Sequence, residues 1–392
     1  MSQASKPAGA NLALPKRREL FYGGEWKPAI SGRTQECFSP ATGESYGAVS
    51  FGEAQDMEAA IAAAKSAFPA WRDMPPLERA DLLKKIAAVM RDHKQELALV
   101  DAADSGNPAA AMLKDIDIAT SQLDYFAGLV LEMKGDTIPM GPDAVNMTVR
   151  EPLGVVGRIV AFNHPLMFCA SKAAAPLAAG NTVVMKPAEQ APLSVLRWLE
   201  LVGDILPPGV LNVVHGGVEA GQVLASHPDV AKIGLIGSVP TGRAVMQGAS
   251  SSIKDLILEL GGKNALIACF DADVEKTARG VVAGMNFAWC GQSCGSTSRA
   301  FLHHDIHDAV LDRVVEIVLG FKPGDPTDFT TTMGALISKE QQERVLGYIE
   351  SARREGARLV TGGGAPNDPA LANGNFVLPT IFADVTPEMT IA

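Results

Sequence analysis

Between Leu153 and Leu260, five short β-rich runs alternate with four amphipathic ones, a rhythm that few folds accommodate. The order is strand (LGVVGRIVAF), helix (Met167 to Ala179), strand (NTVVMK), helix (Pro192 to Ile205), strand (LNVV), helix (Val218 to Ser226), strand (AKIGLIG), helix (Thr241 to Ala249) and strand (DLILEL). Repeated βαβ units predict a parallel sheet covered on both faces, with ligands bound beyond the carboxyl ends of its strands. Upstream, Gln55 to Ala70 and Leu77 to Val100 have helical spacing, with Ala and Leu on one side and charged residues on the other, so helices are expected to open the chain. From Met133 to Val149, Gly, Pro and Asp break up short β-prone pieces, which reads as a hairpin projecting from the sheet. After Gly261 the rhythm restarts with NALIAC, a helix from Asp273 to Ala288, a loop containing Cys294, RAFLHH and a helix from Ile306 to Leu319. The expected class is α/β: a doubly wound Rossmann-like domain, a second α/β domain and the hairpin.

Composition narrows the function. A chain of 392 residues exceeds one compact core, so two domains are the natural expectation. A net charge of −10 argues against a nucleic-acid backbone or an anionic membrane as partner, and small molecules fit better. The first eighteen residues lack the apolar centre of a signal peptide and read as a loose arm. No uninterrupted apolar run is long enough to span a bilayer. The five cysteines are an odd number, thinly spread, which does not resemble a disulfide framework and points to a reducing cytoplasm.

Chemistry concentrates in two stretches: Cys294 in CGQSCGSTSR and Glu259 in LELGGKNALI, 35 positions upstream. Gly291, Ser293, Gly295 and Ser296 leave a thiol open to approach, and a carboxylate ending an apolar run is expected to be a partly desolvated base. Most cysteines are inert core residues, however, and Glu259 could simply pair with Lys263. Cys290 and Cys294 have C-x3-C spacing with His303 and His304 nearby, but no metal is expected. Cys290 falls toward a helix end, the histidines would face opposite ways on a strand, and no second cysteine pair exists. Asn163 follows the run GRIVAF and is held by Pro165; its amide and the Cys294 N–H could hold an oxyanion, each such donor being worth roughly 2.7–4 kcal/mol. A plain turn asparagine is the alternative. Lys186 and Glu189 in MKPAEQAP could bind ribose hydroxyls. Gly237 and Ser238 in LIGSVPTGR precede a helix whose first-turn amides attract phosphate, although the triple-glycine dinucleotide fingerprint is absent.

Taken together, FNHP, KPAEQAP, IGSVPTGR, LELGGKN and GQSCGSTSR resemble the NAD(P)-dependent aldehyde dehydrogenase superfamily in order and approximate separation, from about Phe21 to Ala392. Betaine-aldehyde and related broad-range members are the nearest in kind. The resemblance implies that Cys294 attacks an aldehyde, that Asn163 and the Cys294 amide hold the oxyanion, and that Glu259 activates the water that hydrolyses a thioester. It assigns Phe162, Lys186, Glu189, Gly237, Ser238, Leu260 and Gly261 to the cofactor, and Phe168, Ser171, Ala288 and Trp289 to the substrate pocket. The Glu189 carboxylate should disfavour a 2′-phosphate, so NAD is expected over NADP. Residues 1–131 and 151–260 would form the NAD-binding domain, 132–150 an oligomerisation hairpin and 261–392 the catalytic domain. A cytoplasmic homodimer or homotetramer is expected.

Departures from the family pattern carry information. His164 stands where an aromatic usually follows the asparagine, and Ser171 and Ala288 replace bulky aromatics, which predicts a wider tunnel for larger or more polar aldehydes. In relatives the segment resembling VTPEMTIA continues into a Glu-Ile-Phe-Gly-Pro motif that binds the nicotinamide ribose; here the sequence stops at Ala392, and the chain is expected to be incomplete at its C-terminus. If it does end there, a catalytically idle scaffold or a slow thiol esterase becomes the alternative. A coenzyme A-acylating semialdehyde dehydrogenase is another, opposed by Glu259, because water activation is unwelcome when a thiol must take the acyl group.

Overall fold

A computed structural model describes residues 12–392. Among the described residues the first elements are β1 (Leu20–Tyr22), β2 (Glu25–Lys27), β3 (Thr34–Phe38) and β4 (Ser45–Ser50) rather than helices, while most of the expected N-terminal arm lies outside them. Runs as short as LFY and EWK hold too few residues to display a period, so periodicity passes over them. Next come α1 (Ala54–Asp73), α2 (Pro76–Asp92), α3 (Lys94–Ser105) and α4 (Ala109–Gly128). The expected single helix from Leu77 to Val100 is thus two. It breaks at His93, whose backbone leaves the helical region (φ −104°, ψ 18°) while its Nδ1 lies 2.9 Å from Glu96 in the first turn of α3.

The hairpin expected after Met133 is present as β5 (Thr137–Pro139) paired antiparallel with β6 (Val145–Met147). The alternating region follows: β7 (Val155–Ile159), α5 (Pro165–Ala178), β8 (Thr182–Lys186), α6 (Leu193–Val202), β9 (Leu211–Val213), α7 (Val218–Ser226), β10 (Val230–Gly237), α8 (Val239–Ala249) and β11 (Asp255–Leu260). The last third holds β12 (Ala265–Ala268), α9 (Val274–Met285), β13 (Arg299–Leu302), α10 (His304–Val318), α11 (Lys339–Arg354), β14 (Arg358–Thr361) and β15 (Ile381–Ala383).

Seven strands form the main sheet in the order β11-β10-β7-β8-β9-β1-β2. The five from the alternating region are parallel, and β1 and β2 extend them antiparallel. Core packs on both faces. One cluster joins α2, α4, α5 and α6 through Leu83, Ile116, Leu166 and Trp198; the other joins α1, α7 and α8 through Ile61, Leu224 and Val245. A separate core around Val310, Val314 and Phe287 supports β12 and β13. This last third docks on the first through backbone bonds, Ala335 N to Gly106 O (2.9 Å) and Asn375 N to Pro40 O (2.8 Å). No helix among the described residues is long and apolar enough to cross a membrane.

Candidate active site

Parallel strands joined by crossover helices end along one edge of a sheet, because each helix returns the chain to where the last strand began. At that edge, four neighbours in the order β11, β10, β7, β8 carry the residues singled out in the sequence. Glu259 and Leu260 end β11 opposite Ile236 and Gly237 of β10, whereas Phe162 and Asn163 follow β7, whose Ile159 lies opposite Lys186 at the end of β8. Glu189 comes three residues later.

Lys186 and Glu189 border the glycines at the start of α7. A Cβ on Gly217 would lie 3.5 Å from Glu189 Oε2, and one on Gly221 would lie 3.6 Å from Lys186 Cε, so glycine backbone runs close beside both side chains. Burial lowers the Lys186 pKa, an effect the Glu189 carboxylate opposes. Ser238 caps α8 by accepting from the N–H of Thr241 (3.2 Å), and the exposed first turn presents the positive end of the helix. These residues fit an adenine dinucleotide: ammonium and carboxylate for ribose, a helix start for pyrophosphate.

Asn163 is buried, and Asn107 fixes its backbone by donating from Nδ2 to its carbonyl (3.0 Å). The Asn163 side-chain amide has no hydrogen-bond partner among the described residues and is not sealed off from solvent. Next to it, His164 lies edge-on to Phe168 (ring centroids 5.1 Å) and tilted against Trp289 (5.7 Å). Two of the expected pocket residues, one on α5 and one just before the Cys294 loop, therefore meet through the histidine. Ala288 shares the turn of Trp289.

Cys294 is exposed, in a loop shaped by hydrogen bonds rather than by regular structure. Asn286 and Cys290 take left-handed backbone conformations (φ 57° and 56°), and Ser293 Oγ accepts from Asn286 Nδ2 (3.2 Å) and from the N–H of Gly295 (3.2 Å). The Cys294 carbonyl accepts from Asn264 Nδ2 (2.8 Å), which ties the loop to the segment after Gly261. Gly284 permits the return of the chain, since a Cβ there would sit 2.0 Å from Thr297 Oγ1. Cys290 is the contrasting thiol: it is buried, its Sγ faces the Gly106 carbonyl at 3.9 Å, and burial pushes its pKa up to about 12.

Glu259 is exposed, not partly desolvated. Alternation along β11 turns Leu256, Leu258 and Leu260 into the core and leaves Ile257 and Glu259 on the other face. There Glu259 lines a cavity of about 230 Å³ with Ser171, Lys172, Arg158 and Gln122. Lys263 is not paired with it. The expected pocket residues divide accordingly, Ser171 beside Glu259 and Phe168 with Trp289 around His164.

The four residues weighed as metal ligands do not converge. His303 and His304 stand at the start of α10 instead of on a strand, because β13 stops at Leu302 and His303 becomes the helix cap. They group with exposed Asp305, away from both cysteines. Sequence reasoning missed Asn107 and Asp115. A signal for Asp115 existed: it interrupts the apolar stripe Met112, Ile116, Ala119, Leu123 at helical spacing, and a carboxylate in such a stripe needs a partner.

Comparison with known proteins agrees with this geometry. The profile of the Aldehyde dehydrogenase family matches residues 26–392. Aldehyde dehydrogenase tropH of Talaromyces stipitatus is 53% identical over 388 residues, 97% of this chain and 75% of that protein. Betaine aldehyde dehydrogenase of Sinorhizobium fredii is 42% identical over 383 residues, 97% of this chain and 78% of that protein. An NAD+ complex of aldehyde dehydrogenase from Bacillus cereus superposes with a TM-score of 0.92 at 40% identity, covering 96% of this chain and 77% of that one. With a parallel sheet whose strand ends carry these residues, and with matches over nearly its whole length, the chain belongs to the aldehyde dehydrogenase family and is an aldehyde-oxidising enzyme.

Proposed function

We propose that the chain oxidises an aldehyde to a carboxylic acid through a covalent intermediate on Cys294, with NAD as the hydride acceptor. The observation that carries this reading is the contrast between the exposed Cys294 and the sealed Cys290 four residues before it. Attack of the Cys294 thiolate on the carbonyl carbon forms a C–S bond and places a negative charge on oxygen. The Asn163 amide and the Cys294 N–H stabilise that charge. Bound NAD would supply the acceptor for the hydride lost from this alkoxide, which leaves Cys294 as a thioester. Glu259 then removes a proton from water, which attacks the thioester; the C–S bond breaks, the acid leaves and the thiolate is restored.

Lys186 and Glu189 would hold the adenosine ribose, Gly237 and Ser238 the pyrophosphate, and Phe162, Leu260 and Gly261 the approach to the nicotinamide. Glu189 repels a 2′-phosphate, which favours NAD over NADP. Ser171 and Ala288 leave room for larger or more polar aldehydes. Residues 1–131 and 151–260, of which 1–11 lie outside the described residues, are read as the NAD-binding unit and 261–392 as the catalytic unit. The β5–β6 hairpin is read as a contact between copies in a homodimer or homotetramer, supported by its bare apolar residues, Val145 at 82% and Met147 at 65% exposure. A reducing cytoplasm suits a free, exposed nucleophilic thiol. The test is NADH absorbance on mixing protein, NAD and a panel of aldehydes; no NADH with any member, from a folded protein, overturns the reading.

A further inference from the structure

We propose that His164, oriented by Asp115, selects aldehydes that carry a hydroxyl group. The inference rests on the aldehyde-oxidising reading above and gives its substrate side a specificity-determining residue. Asp115 is wholly buried on α4, and its Oδ2 lies 2.6 Å from His164 Nδ1. With the Asp115 carboxylate as acceptor, Nδ1 of the ring is the donor, and in that tautomer the lone pair lies on Nε2. The two nitrogens then differ in what they still lack. Nδ1 is satisfied, whereas Nε2 has no partner among the described residues and, unlike Oδ1 of Asp115, is not sealed from solvent.

The ring cannot easily turn away from this arrangement. Phe168 and Trp289 flank it at 5.1 and 5.7 Å, and its backbone sits directly between Asn163 and Pro165 at the start of α5. His164 thus faces the region shared by the candidate oxyanion donor and the turn leading to Cys294. A substrate that reaches Nε2 also borders the partly buried Trp289, so what suits the place is flat or apolar and bears one polar group able to donate to Nε2. A hydroxyl meets both conditions. It also accepts from Nε2 should the ring protonate, whereas a carboxylate suits only the charged ring and a quaternary ammonium, without any N–H, suits neither.

The experiment compares kcat/KM for 2-, 3- and 4-hydroxybenzaldehyde with that for benzaldehyde. At least one hydroxylated isomer is expected to be preferred by about tenfold, the scale of one hydrogen bond. The double variant His164→Phe/Asp115→Leu removes the pair together, so no buried carboxylate is stranded, and its ratio should fall to about one. Asp115→Asn keeps the shape while loosening control of the tautomer; it should raise KM for the preferred isomer more than it changes kcat. Calorimetric titration of Cys294→Ala with the same four aldehydes reads the preference without turnover, so a failure of oxidation is distinguished from a failure of selection. Equal kcat/KM and equal affinity for all four aldehydes, or a preference that survives the double variant, would overturn the proposal.

Discussion

Val183, Val184 and Met185, which lead β8 to Lys186, are 0% exposed, whereas β12 and β13, which flank the Cys294 loop, leave Ile267 and Phe301 at 76% and 53%. The first region holds β8 by burial: α1 and α5 pack against it, so Lys186 at its end has little freedom, whereas β11 at the sheet margin leaves Glu259 exposed. The second holds the Cys294 loop by discrete hydrogen bonds, from Asn264 to the Cys294 carbonyl and from Asn286 and Gly295 to Ser293 Oγ, and by left-handed residues. Burial yields a rigid platform tolerant of surface change. A hydrogen-bonded loop gives an accessible thiol, whose substitution should cost little stability.

That difference can be broken most directly at the thiol. Cys294→Ala should abolish acid formation, by on the order of 10⁴-fold or more, while thermal unfolding stays close to wild type because the side chain is exposed. A large drop in melting temperature would show that the loop is held by packing after all. Glu259→Gln should cut steady turnover by roughly 10²–10⁴-fold yet keep a first burst of NADH, observed by stopped-flow absorbance. Loss of the burst along with turnover would place Glu259 before hydride transfer. Asn163→Ala, on the buried side, should lower kcat by about 10²–10³-fold, and, in contrast to Cys294→Ala, also destabilise the protein.

A pH experiment sharpens the contrast further. His215, buried just past β9, has its pKa lowered from 6.5 to about 4, chiefly by desolvation; a ring hydrogen bond to the Ser50 backbone opposes the shift and the Lys186 charge adds to it. Its folded-state pKa is depressed, so the unfolded chain takes up the proton first as pH falls. Stability is full above about 6.5 and is lost as pH drops toward 4, by roughly 3 kcal/mol. Urea titrations at pH 7.5 and 4.5 should show that loss reduced in His215→Gln; equal losses in both proteins would remove His215 as the cause. The smallest effect is expected from Glu189→Gln, which should shift the ratio of catalytic efficiencies with NAD and NADP by about tenfold toward NADP. An unchanged ratio would remove Glu189 from the choice of cofactor.

Much of the sheet region was legible in the sequence. The helix Val218 to Ser226 and the strand DLILEL have the bounds expected of them, because each is long enough for its period to show and is bounded by Gly, Pro or Ser. The opening strands were not legible: β1 and β2 gain their identity only by pairing beyond β9, a contact nearly two hundred residues away in the chain (Phe21 with Val213). The break at His93 was hidden by apolar spacing that runs on through α2 and α3. In the site, FNHP marked Asn163 and His164 but said nothing of Asn107 or Asp115, which reach them from 56 and 49 residues away.

By itself the sequence determined the alternation of strand and helix, and with it a parallel sheet whose strand ends share one edge, whereas the strand order that makes neighbours of β11, β10, β7 and β8 came from the tertiary structure. It also named the thiol, because small residues around Cys294 are a local property. Only the tertiary structure decided which thiol is sealed, which face Glu259 takes, and that a carboxylate on α4 holds the ring of His164. Burial and long-range hydrogen bonds depend on what other parts of the chain deliver to the same place, and that is not written in any one stretch of it.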